Sequence, residues 1–279
     1  MKNKKTKVMD KIKITMVQSN LYWENREANL SMFTQKLQKS KGETDLIVLP
    51  EMFTTGFTMQ AKKCAETMNG KAVQWMHAQA LQYKCCLAGS LIIEEYGQYY
   101  NRLFFFRPDG SFRYYDKKHL FIQSGEDKQY TAGTKKIIET VKGWNILPLI
   151  CFDLRYPVWS RNSWETEEGQ EVKTDYDVLL YSASWPEERS FAWTTLLTAR
   201  ALENQAYVVG VNRIGVDPRG AVYSGDSMAV NPLGKKISRT LPFEEATETI
   251  ELDDEELAQL RNNFPMSNDL PSKRQLSFV

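Results

Sequence analysis

Apolar runs and helix-spaced segments alternate along the first part of the chain. Residues 12–17 alternate in polarity and are β-branched, which predicts a first strand. Apolar residues recur at helical intervals over residues 20–40, and Lys41-Gly42 then supplies a typical helix end. Residues 46–49 are continuously apolar and stop at Pro50, as expected of a strand buried on both faces. Strand, helix and buried strand form a βαβ unit, which favours a sheet covered by helices.

The rest of the chain predicts a β-meander followed by further strands and helices. The turn sequences Tyr96-Gly97-Gln98 and Pro108-Asp109-Gly110 separate three consecutive strands. Pro148 has no N–H to give to a central ladder, so we expect the paired part of its strand to start at Leu149. The remaining predicted elements are a helix over 71–84, strands over 85–93, 99–107, 111–115, 144–151, 177–182 and 207–211, a loop or short helix over 160–176, a helix over 189–205, a hairpin from 222–230 and 236–239, and a last helix over 253–263.

Composition bounds the size and the partners of the protein. The chain has 279 residues, 42% of them hydrophobic, without an internal repeat or linker, so we predict one domain over 1–279. Within it, residues 1–10 are expected to form a disordered basic tail and residues 265–279 a C-terminal extension. Lysine and arginine (36) balance aspartate and glutamate (35), which favours neither nucleic acid nor a membrane surface as partner. No segment reaches the ~20 apolar residues of a membrane helix.

Cysteine usage indicates reduced thiols. The four cysteines are Cys64, Cys85, Cys86 and Cys151, and none forms a C-x-x-C pair. With only two histidines in the chain, a zinc site is not expected. The chain is long enough to need no disulfides, and its start has no apolar stretch of signal-peptide length, so we expect a cytoplasmic protein. Phosphate-binding and dinucleotide-binding glycine motifs are absent as well.

Cys151 is the candidate nucleophile, because an apolar run leads directly to it and a polar turn follows. Glu51 and Lys117 each follow a predicted strand, as Cys151 does. A carboxylate whose pKa is raised by burial can act as base for a thiol whose pKa is lowered by an ammonium. The open alternatives are a buried structural thiol or a pairing of Cys151 with His119. A serine nucleophile is disfavoured, because residues 225–229 depart from G-x-S-x-G.

Four short motifs follow one another in a specific order and spacing. In this arrangement the chain resembles the nitrilase superfamily of carbon–nitrogen hydrolases over nearly its whole length. The motifs are Leu49-Pro50-Glu51-Met52, Tyr115-Asp116-Lys117-Lys118-His119-Leu120, Cys151-Phe152-Asp153-Leu154-Arg155-Tyr156-Pro157 and Ala199-Arg200-Ala201-Leu202-Glu203-Asn204-Gln205.

The resemblance implies a fold, a triad and a mechanism. The fold would be an α/β four-layer αββα sandwich, paired through helices into a homodimer. The triad would be Glu51, Lys117 and Cys151, with Glu126 as an additional active-site glutamate. Glu51 would deprotonate Cys151 for attack on an amide carbon, while Lys117 and the backbone N–H of Phe152 hold the oxyanion. The substrate would be a small-molecule amide, and neither a metal nor an organic cofactor would be needed.

A finer resemblance indicates the substrate. Residues 182–189, 212–215 and 223–227 resemble the bacterial omega-amidase branch, whose members hydrolyse 2-oxoglutaramate or 2-oxosuccinamate to the dicarboxylate and ammonia. The carboxylate of such a substrate needs a cation, for which Arg189 and Arg213 are the candidates. The candidate pocket walls are Phe57, Phe152 and Trp185.

Several alternatives stay open. Within enzymes, these are a carbamoylase, an aliphatic amidase and a deaminated-glutathione amidase. Outside them, the chain would be a non-catalytic binding protein on this fold, or a redox protein that uses Cys85-Cys86. Asp153 and Arg155 are expected to tie the nucleophile loop by an ion pair. Arg200, Glu203 and Asn204 are expected to serve packing or an interface.

Overall fold

The computed structural model describes residues 10–38, 44–165 and 173–266. The predicted helix end at Lys41-Gly42, part of the predicted loop over 160–176 and most of the segments 1–10 and 265–279 lie outside the described residues. The strands are β1 (Ile12–Gln18), β2 (Leu46–Val48), β3 (Cys86–Glu95), β4 (Gln98–Phe106), β5 (Phe112–Asp116), β6 (Glu139–Val141), β7 (Trp144–Ile150), β8 (Trp164–Glu165), β9 (Lys173–Thr174), β10 (Val178–Ala183), β11 (Tyr207–Asn212), β12 (Ile214–Val216), β13 (Val222–Ser224), β14 (Met228–Val230) and β15 (Ala246–Leu252). The helices are α1 (Arg26–Gln38), α2 (Ala61–Cys64), α3 (Lys71–Tyr83), α4 (Pro157–Ser160), α5 (Ser190–Asn204) and α6 (Asp254–Asn263).

Two large mixed sheets organise the described part of the chain. The first is six-stranded, in the order β15-β1-β2-β3-β4-β5, and the second is five-stranded, in the order β14-β11-β10-β7-β6. Each has a parallel centre, formed by β1, β2 and β3 in one and by β7, β10 and β11 in the other. Antiparallel strands complete both sheets. The predicted βαβ unit and meander are therefore both present in the first sheet.

The first sheet separates two cores, because side chains alternate between its faces. Ile14 and Met16 belong to a core shared with strands of the second sheet. Val17 and Ile47 belong to a core shared with α1 and α3. On the second sheet, α5 packs directly onto β11, where a Cβ on Gly210 would lie only 2.6 Å from a Leu197 methyl carbon. The order of layers is therefore helix, sheet, sheet, helix.

Two local predictions were wrong for identifiable reasons. Pro148 lies inside β7 and pairs in register with Leu180, whereas the pairing of β7 with β6 covers only residues 144–146. Pro148 thus lies where β7 pairs with β10 alone, so its missing N–H does not delay the start of pairing to Leu149. The predicted strand over 222–230 is two strands, because the side chain of Gln18 enters the gap between them and accepts a hydrogen bond from Ser227 N at 2.9 Å.

The carboxyl ends of strands from both sheets meet at one place. Ser182 Oγ at the end of β10 donates to Leu49 O, just beyond β2, at 2.7 Å. Glu51 N donates to Ala183 O at 3.3 Å, which joins the same two strand ends. Since β7 pairs with β10 up to Ile150, Cys151 emerges beside this junction. Ligands of open α/β sheets bind at such strand ends.

Candidate active site

Cys151 begins a 3₁₀ turn, Cys151–Arg155, directly after β7. Its φ is +41°, in the left-handed region that non-glycine residues rarely occupy. Such a conformation costs ~1–3 kcal/mol and persists only where the surroundings enforce it. The side chain is buried and lines a cavity. The sequence therefore aims a sulfur into a closed space at a local energetic cost, as expected of a functional group.

Glu51 is fully buried and accepts hydrogen bonds on both carboxylate oxygens. Its Oε1 accepts from Lys117 Nζ at 2.9 Å and from Asn101 Nδ2 at 2.8 Å. Its Oε2 accepts from the backbone N–H of Ser184 at 2.9 Å. Three donors from three different segments thus fix the orientation of this carboxylate, which is the condition for burying a charge.

Lys117 is also fully buried and lies between two carboxylates. Its Nζ is 2.9 Å from Glu51 Oε1 and 2.9 Å from Glu126 Oε2. Burial by itself lowers the pKa of Lys117, but Glu126 and Glu51 outweigh it and raise this pKa above its usual value. Lys117 is therefore a permanent cation at neutral pH.

Glu126 is the second partner of Lys117 and has no exposed surface. Burial and the nearby Glu51 raise the pKa of Glu126, while Lys117 and the backbone N–H of Phe121 act against this rise. The Phe121 N–H donates to Glu126 Oε2 at 2.6 Å. The structure thus brings together all four predicted residues, including Glu126, which begins a short 3₁₀ turn (Glu126–Lys128) and not the predicted loop.

Sequence reasoning missed Asn101, which lies on β4 beside the two carboxylates. Its Nδ2 donates to Glu51 Oε1 at 2.8 Å and to Glu126 Oε1 at 3.2 Å. Its backbone carbonyl also accepts from Lys117 N at 3.0 Å. The one available signal was an asparagine within a strand that is otherwise largely apolar and aromatic.

The Cys151 thiol is neutral in this environment. Burial and the charge of Glu51 raise its pKa, and Lys117 and the backbone N–H of Ser184 oppose them without cancelling them. Attack by this sulfur would therefore need a proton acceptor, and Glu51 is the neighbouring carboxylate. This arrangement supports attack of sulfur on an electrophilic carbon next to a fixed ammonium.

A cavity of about 360 Å³ opens above Cys151 and Lys117. Four predicted pocket residues line it: Phe57, Phe152, Trp185 and Arg189. No aspartate or glutamate is among its described lining residues, whereas several cations are. The other lining residues are Phe121, Gln123, Ser124, Arg155, Ser184, Pro186, Arg219, Ala221 and Tyr223.

Arg213 does not line the cavity. Its guanidinium lies 4.6 Å from the ring of Tyr223, which does line it, and its Nε donates to Ile214 O at 3.1 Å. Burial lowers the pKa of Arg213. Arg219 occupies the lining instead, paired with Asp217 at 2.8 Å. That Arg213 meets the substrate stays a prediction, although this cation is not among the described lining residues and lies over the ring of Tyr223.

Arg155 also departs from its predicted role. The expected ion pair with Asp153 is absent from the described residues, because Asp153 points into the interior and bonds to Tyr115 and His119. Arg155 instead lines the cavity with its guanidinium 5.1 Å from the centre of the Trp185 ring. A sequence neighbour of the nucleophile thus supplies a cation to the cavity wall.

The described residues also bear on two alternatives, a Cys151–His119 pair and a redox role of Cys85-Cys86. His119 Nδ1 lies 2.8 Å from Asp153 Oδ1. This ring nitrogen is therefore bonded to Asp153 and not to the Cys151 thiol. Cys85 and Cys86 are free, and burial raises the pKa of each to about 12, which makes both poor nucleophiles.

In the ranges that the structure covers, no group of histidine, cysteine and carboxylate side chains is placed to hold a metal ion. Over the same ranges, no helix has the length and apolarity needed to span a bilayer.

Comparison with known proteins places this geometry in a family. The carbon–nitrogen hydrolase family model matches residues 13–262. The Omega-amidase YafV of Escherichia coli K12 is 42% identical over 261 residues, 94% of this chain and 97% of its own. The 2-oxoglutaramate amidase of Bacillus subtilis is 28% identical, over 92% of this chain and 96% of its own.

Solved structures agree with these relatives. XC1258 of Xanthomonas campestris, a CN-hydrolase superfamily protein, has a TM-score of 0.91 and 37% identity, and the match covers 95% of this chain and 98% of that one. Nit3 of Saccharomyces cerevisiae, of the nitrilase superfamily, has a TM-score of 0.81 and 24% identity, with 97% and 99% covered. The α/β sandwich expected from the resemblance is confirmed, and the chain belongs to the carbon–nitrogen hydrolase family.

Proposed function

We propose that this protein is an omega-amidase, which hydrolyses the terminal amide of 2-oxoglutaramate or 2-oxosuccinamate to the dicarboxylate and ammonia. The main support is the position of Cys151 beside the buried Glu51–Lys117–Glu126 cluster, at the floor of a cavity whose described lining has cations and no carboxylates. The omega-amidase and 2-oxoglutaramate amidase names of the relatives point to the same substrate class.

In the first half-reaction, Glu51 accepts the thiol proton as Cys151 Sγ attacks the amide carbon. The carbonyl oxygen becomes an oxyanion, held by Lys117 Nζ and the backbone N–H of Phe152. Lys117 suits this task because the carboxylates on either side keep it charged and immobile. A fixed cation stabilises the developing charge without a reorganisation cost.

The second half-reaction reuses the same groups. Glu51 returns its proton to the amide nitrogen, the carbon–nitrogen bond breaks, and ammonia leaves a thioester on Cys151. A water molecule then gives a proton to Glu51 and attacks the thioester carbon. When that intermediate collapses, the carbon–sulfur bond breaks, the sulfur takes the proton back from Glu51, and the product leaves and gives its acid proton to solvent as it becomes the carboxylate. Glu126 holds Lys117 in place throughout, with Asn101 bridging the two glutamates.

Arg155 is the best-placed partner for the substrate carboxylate. Arg189 is paired with Glu188 at 2.6 Å and Arg219 with Asp217 at 2.8 Å. Arg155 has no ion-pair partner among the described residues and lies over Trp185. A planar guanidinium that is not already engaged can bind a carboxylate with two parallel hydrogen bonds. The apolar walls Phe57, Phe152 and Trp185 would then enclose the chain between the carboxylate and the amide.

We further propose that residues 1–279 form one catalytic domain, which works as a cytoplasmic homodimer. Support for the cytoplasm is that all four cysteines are free thiols. Support for the dimer comes from Phe191 and Leu202 on α5, which are 82% and 50% exposed and lie on one face, three turns apart. Val158 of α4 is 82% exposed as well. Apolar side chains of this size gain stability when a second surface covers them.

The first prediction concerns substrate choice. Ammonia release should be measured with 2-oxoglutaramate, 2-oxosuccinamate, glutamine and simple aliphatic amides, for wild type and Cys151→Ala. We expect turnover of the oxo-amides and its loss in the variant, because no other group can form the thioester. Turnover confined to another amide would keep the mechanism and refute the substrate, and carbon dioxide release with ammonia would indicate a carbamoylase. Absence of turnover by folded, reduced protein on the whole panel would contradict the proposal.

A second prediction separates the base from the nucleophile. Glu51→Gln should reduce kcat by about 10²–10⁴-fold, because the proton acceptor is gone. The same change removes a negative charge that raises the pKa of Cys151. The midpoint of the pH profile for alkylation of Cys151 by iodoacetamide should therefore move to lower pH, although turnover falls. A midpoint that stays in place or moves upward would contradict the assignment of Glu51 beside the thiol.

A third prediction assigns the carboxylate contact. Arg155→Gln should raise KM for 2-oxoglutaramate by about 10–100-fold, because a charge-assisted hydrogen bond is lost. For butyramide, which has no carboxylate, KM should change less than about threefold. Arg219→Gln is the matched control, since it removes a lining cation that already has a carboxylate partner. Equal effects of both variants on both substrates would refute a specific role of Arg155.

A fourth prediction concerns assembly. Sedimentation should show a dimer for wild type and a monomer for Phe191→Asp, because the charge would be buried at the proposed interface. Tyr96→Asp is the control, since Tyr96 is 93% exposed at the turn between β3 and β4, away from α5. A wild-type monomer, or dissociation by both variants alike, would refute the α5 interface.

A further inference from the structure

Asp153 lies in the nucleophile turn but points away from the cavity. It is completely buried and is absent from the cavity lining. Its Oδ2 accepts from the backbone N–H of Ile150 at 3.1 Å, the residue directly before Cys151. The carboxylate therefore closes the short turn from which the sulfur projects.

The same carboxylate reaches the segment that carries Lys117. Asp153 Oδ2 accepts from Tyr115 Oη at 2.7 Å, and its Oδ1 accepts from the backbone N–H of His119 at 2.9 Å. Tyr115 and His119 lie two residues on either side of Lys117. One buried side chain thus joins the backbone that holds the nucleophile to the backbone that holds the ammonium.

The ring of His119 completes this connection. Its Nδ1 lies 2.8 Å from Asp153 Oδ1, and a carboxylate oxygen can only accept, so Nδ1 carries the proton. The ring is also stacked on Tyr156, with centroids 3.7 Å apart and planes at 8°. Asp153 therefore accepts hydrogen bonds from four donors in all. These hydrogen bonds stabilise the buried carboxylate in the absence of a lysine or arginine partner.

We propose that Asp153 is a positioning residue, which fixes the separation of Cys151 Sγ and Lys117 Nζ by tying the nucleophile turn to the Tyr115–His119 segment. It touches neither substrate nor reacting atoms and acts through backbone that the reaction uses. The left-handed φ of Cys151, +41°, needs such external restraint, because the turn is not at its own energy minimum. For the amide hydrolysis proposed above, on which this inference rests, a displaced nucleophile lowers kcat and leaves substrate binding intact.

Arg200 holds the opposite side of the same turn, but in a different way. Its Nη2 donates to Leu154 O at 2.6 Å, and its Nη1 pairs with Glu203 on α5. This contact attaches the turn to α5 and does not reach the Lys117 segment. Asp153, in contrast, accepts hydrogen bonds from both Tyr115 and His119 of that segment.

The decisive comparison is Asp153→Asn with Asp177→Asn. Asp177 accepts from the backbone N–H of Asn145, near the other end of the same strand β7, and pairs with Arg261. Both variants replace a carboxylate that accepts from β7 backbone with an isosteric amide, which cannot accept from every donor. Thermal unfolding, kcat, KM and the pH profile of Cys151 alkylation should be measured for each.

We expect Asp153→Asn to lower kcat by about 10²-fold with KM unchanged within about twofold. Its alkylation midpoint should move to higher pH, because Lys117 no longer lies close enough to lower the pKa of Cys151. Asp177→Asn should lower the unfolding temperature without either change. Loss of stability alone in both variants, with kcat and the alkylation midpoint of the folded protein unchanged, would overturn the inference.

Tyr115→Phe is the second variant, in case Asp153→Asn does not fold. It removes one of the four donors, so kcat should fall about tenfold at constant KM. Where both variants fold, the double variant should be no slower than Asp153→Asn, because the two residues act as one unit. Full activity of Tyr115→Phe would overturn the inference. Alkylation of Cys151 needs no substrate, so the alkylation midpoint tests the inference independently of which amide the enzyme hydrolyses.

Discussion

The interaction on which the structure depends is the burial of the Lys117 ammonium between Glu51 and Glu126. None of the three side chains has exposed surface, and each charge is tolerable only in the presence of the others. Removing one partner would leave an uncompensated charge in the interior, at a cost of ~3–5 kcal/mol. The fold must therefore bring three separate segments together accurately, and the pairing of strand ends between the two sheets does this.

This constraint accounts for polar groups that have no catalytic task of their own. Asn101 donates to both carboxylates, and the backbone N–H groups of Ser184 and Phe121 each donate to one. These donors come from β4 and from the segments that follow β5 and β10, so both large sheets contribute. Each gives a hydrogen bond to a carboxylate oxygen that is buried away from water. The site is therefore held by hydrogen bonds that orient the charges before any substrate arrives.

The sequence predicts the scaffold better than the wall of the cavity. The βαβ unit, the meander and the long helix α5 follow from periodicity, because a strand or helix with a buried face has a local signature. The four residues Glu51, Lys117, Glu126 and Cys151 followed from motifs, and the structure brings them together. Arg155 lines the cavity and Arg213 is not among the described lining residues, which the sequence does not predict, because packing between distant segments decides where an arginine points. Asn101 was missed for the same reason, since its partners are 25 and 50 residues away.

The balance of charge explains why the cavity wall has the composition it does. Lys117 on the cavity floor is paired with Glu51 and Glu126, which lie behind the described lining, so the floor has no surplus of positive charge to attract an anion. An amide that carries a carboxylate therefore gains no net attraction from the floor. On the wall, Arg189 and Arg219 are paired with Glu188 and Asp217, whereas Arg155 has no ion-pair partner among the described residues and adds a net positive charge. Because Arg155 lies on the wall, it can hold the carboxylate at one end of the substrate while the amide reaches Cys151. A neutral amide would gain nothing from this cation, so the wall favours anionic amides over neutral ones of the same length.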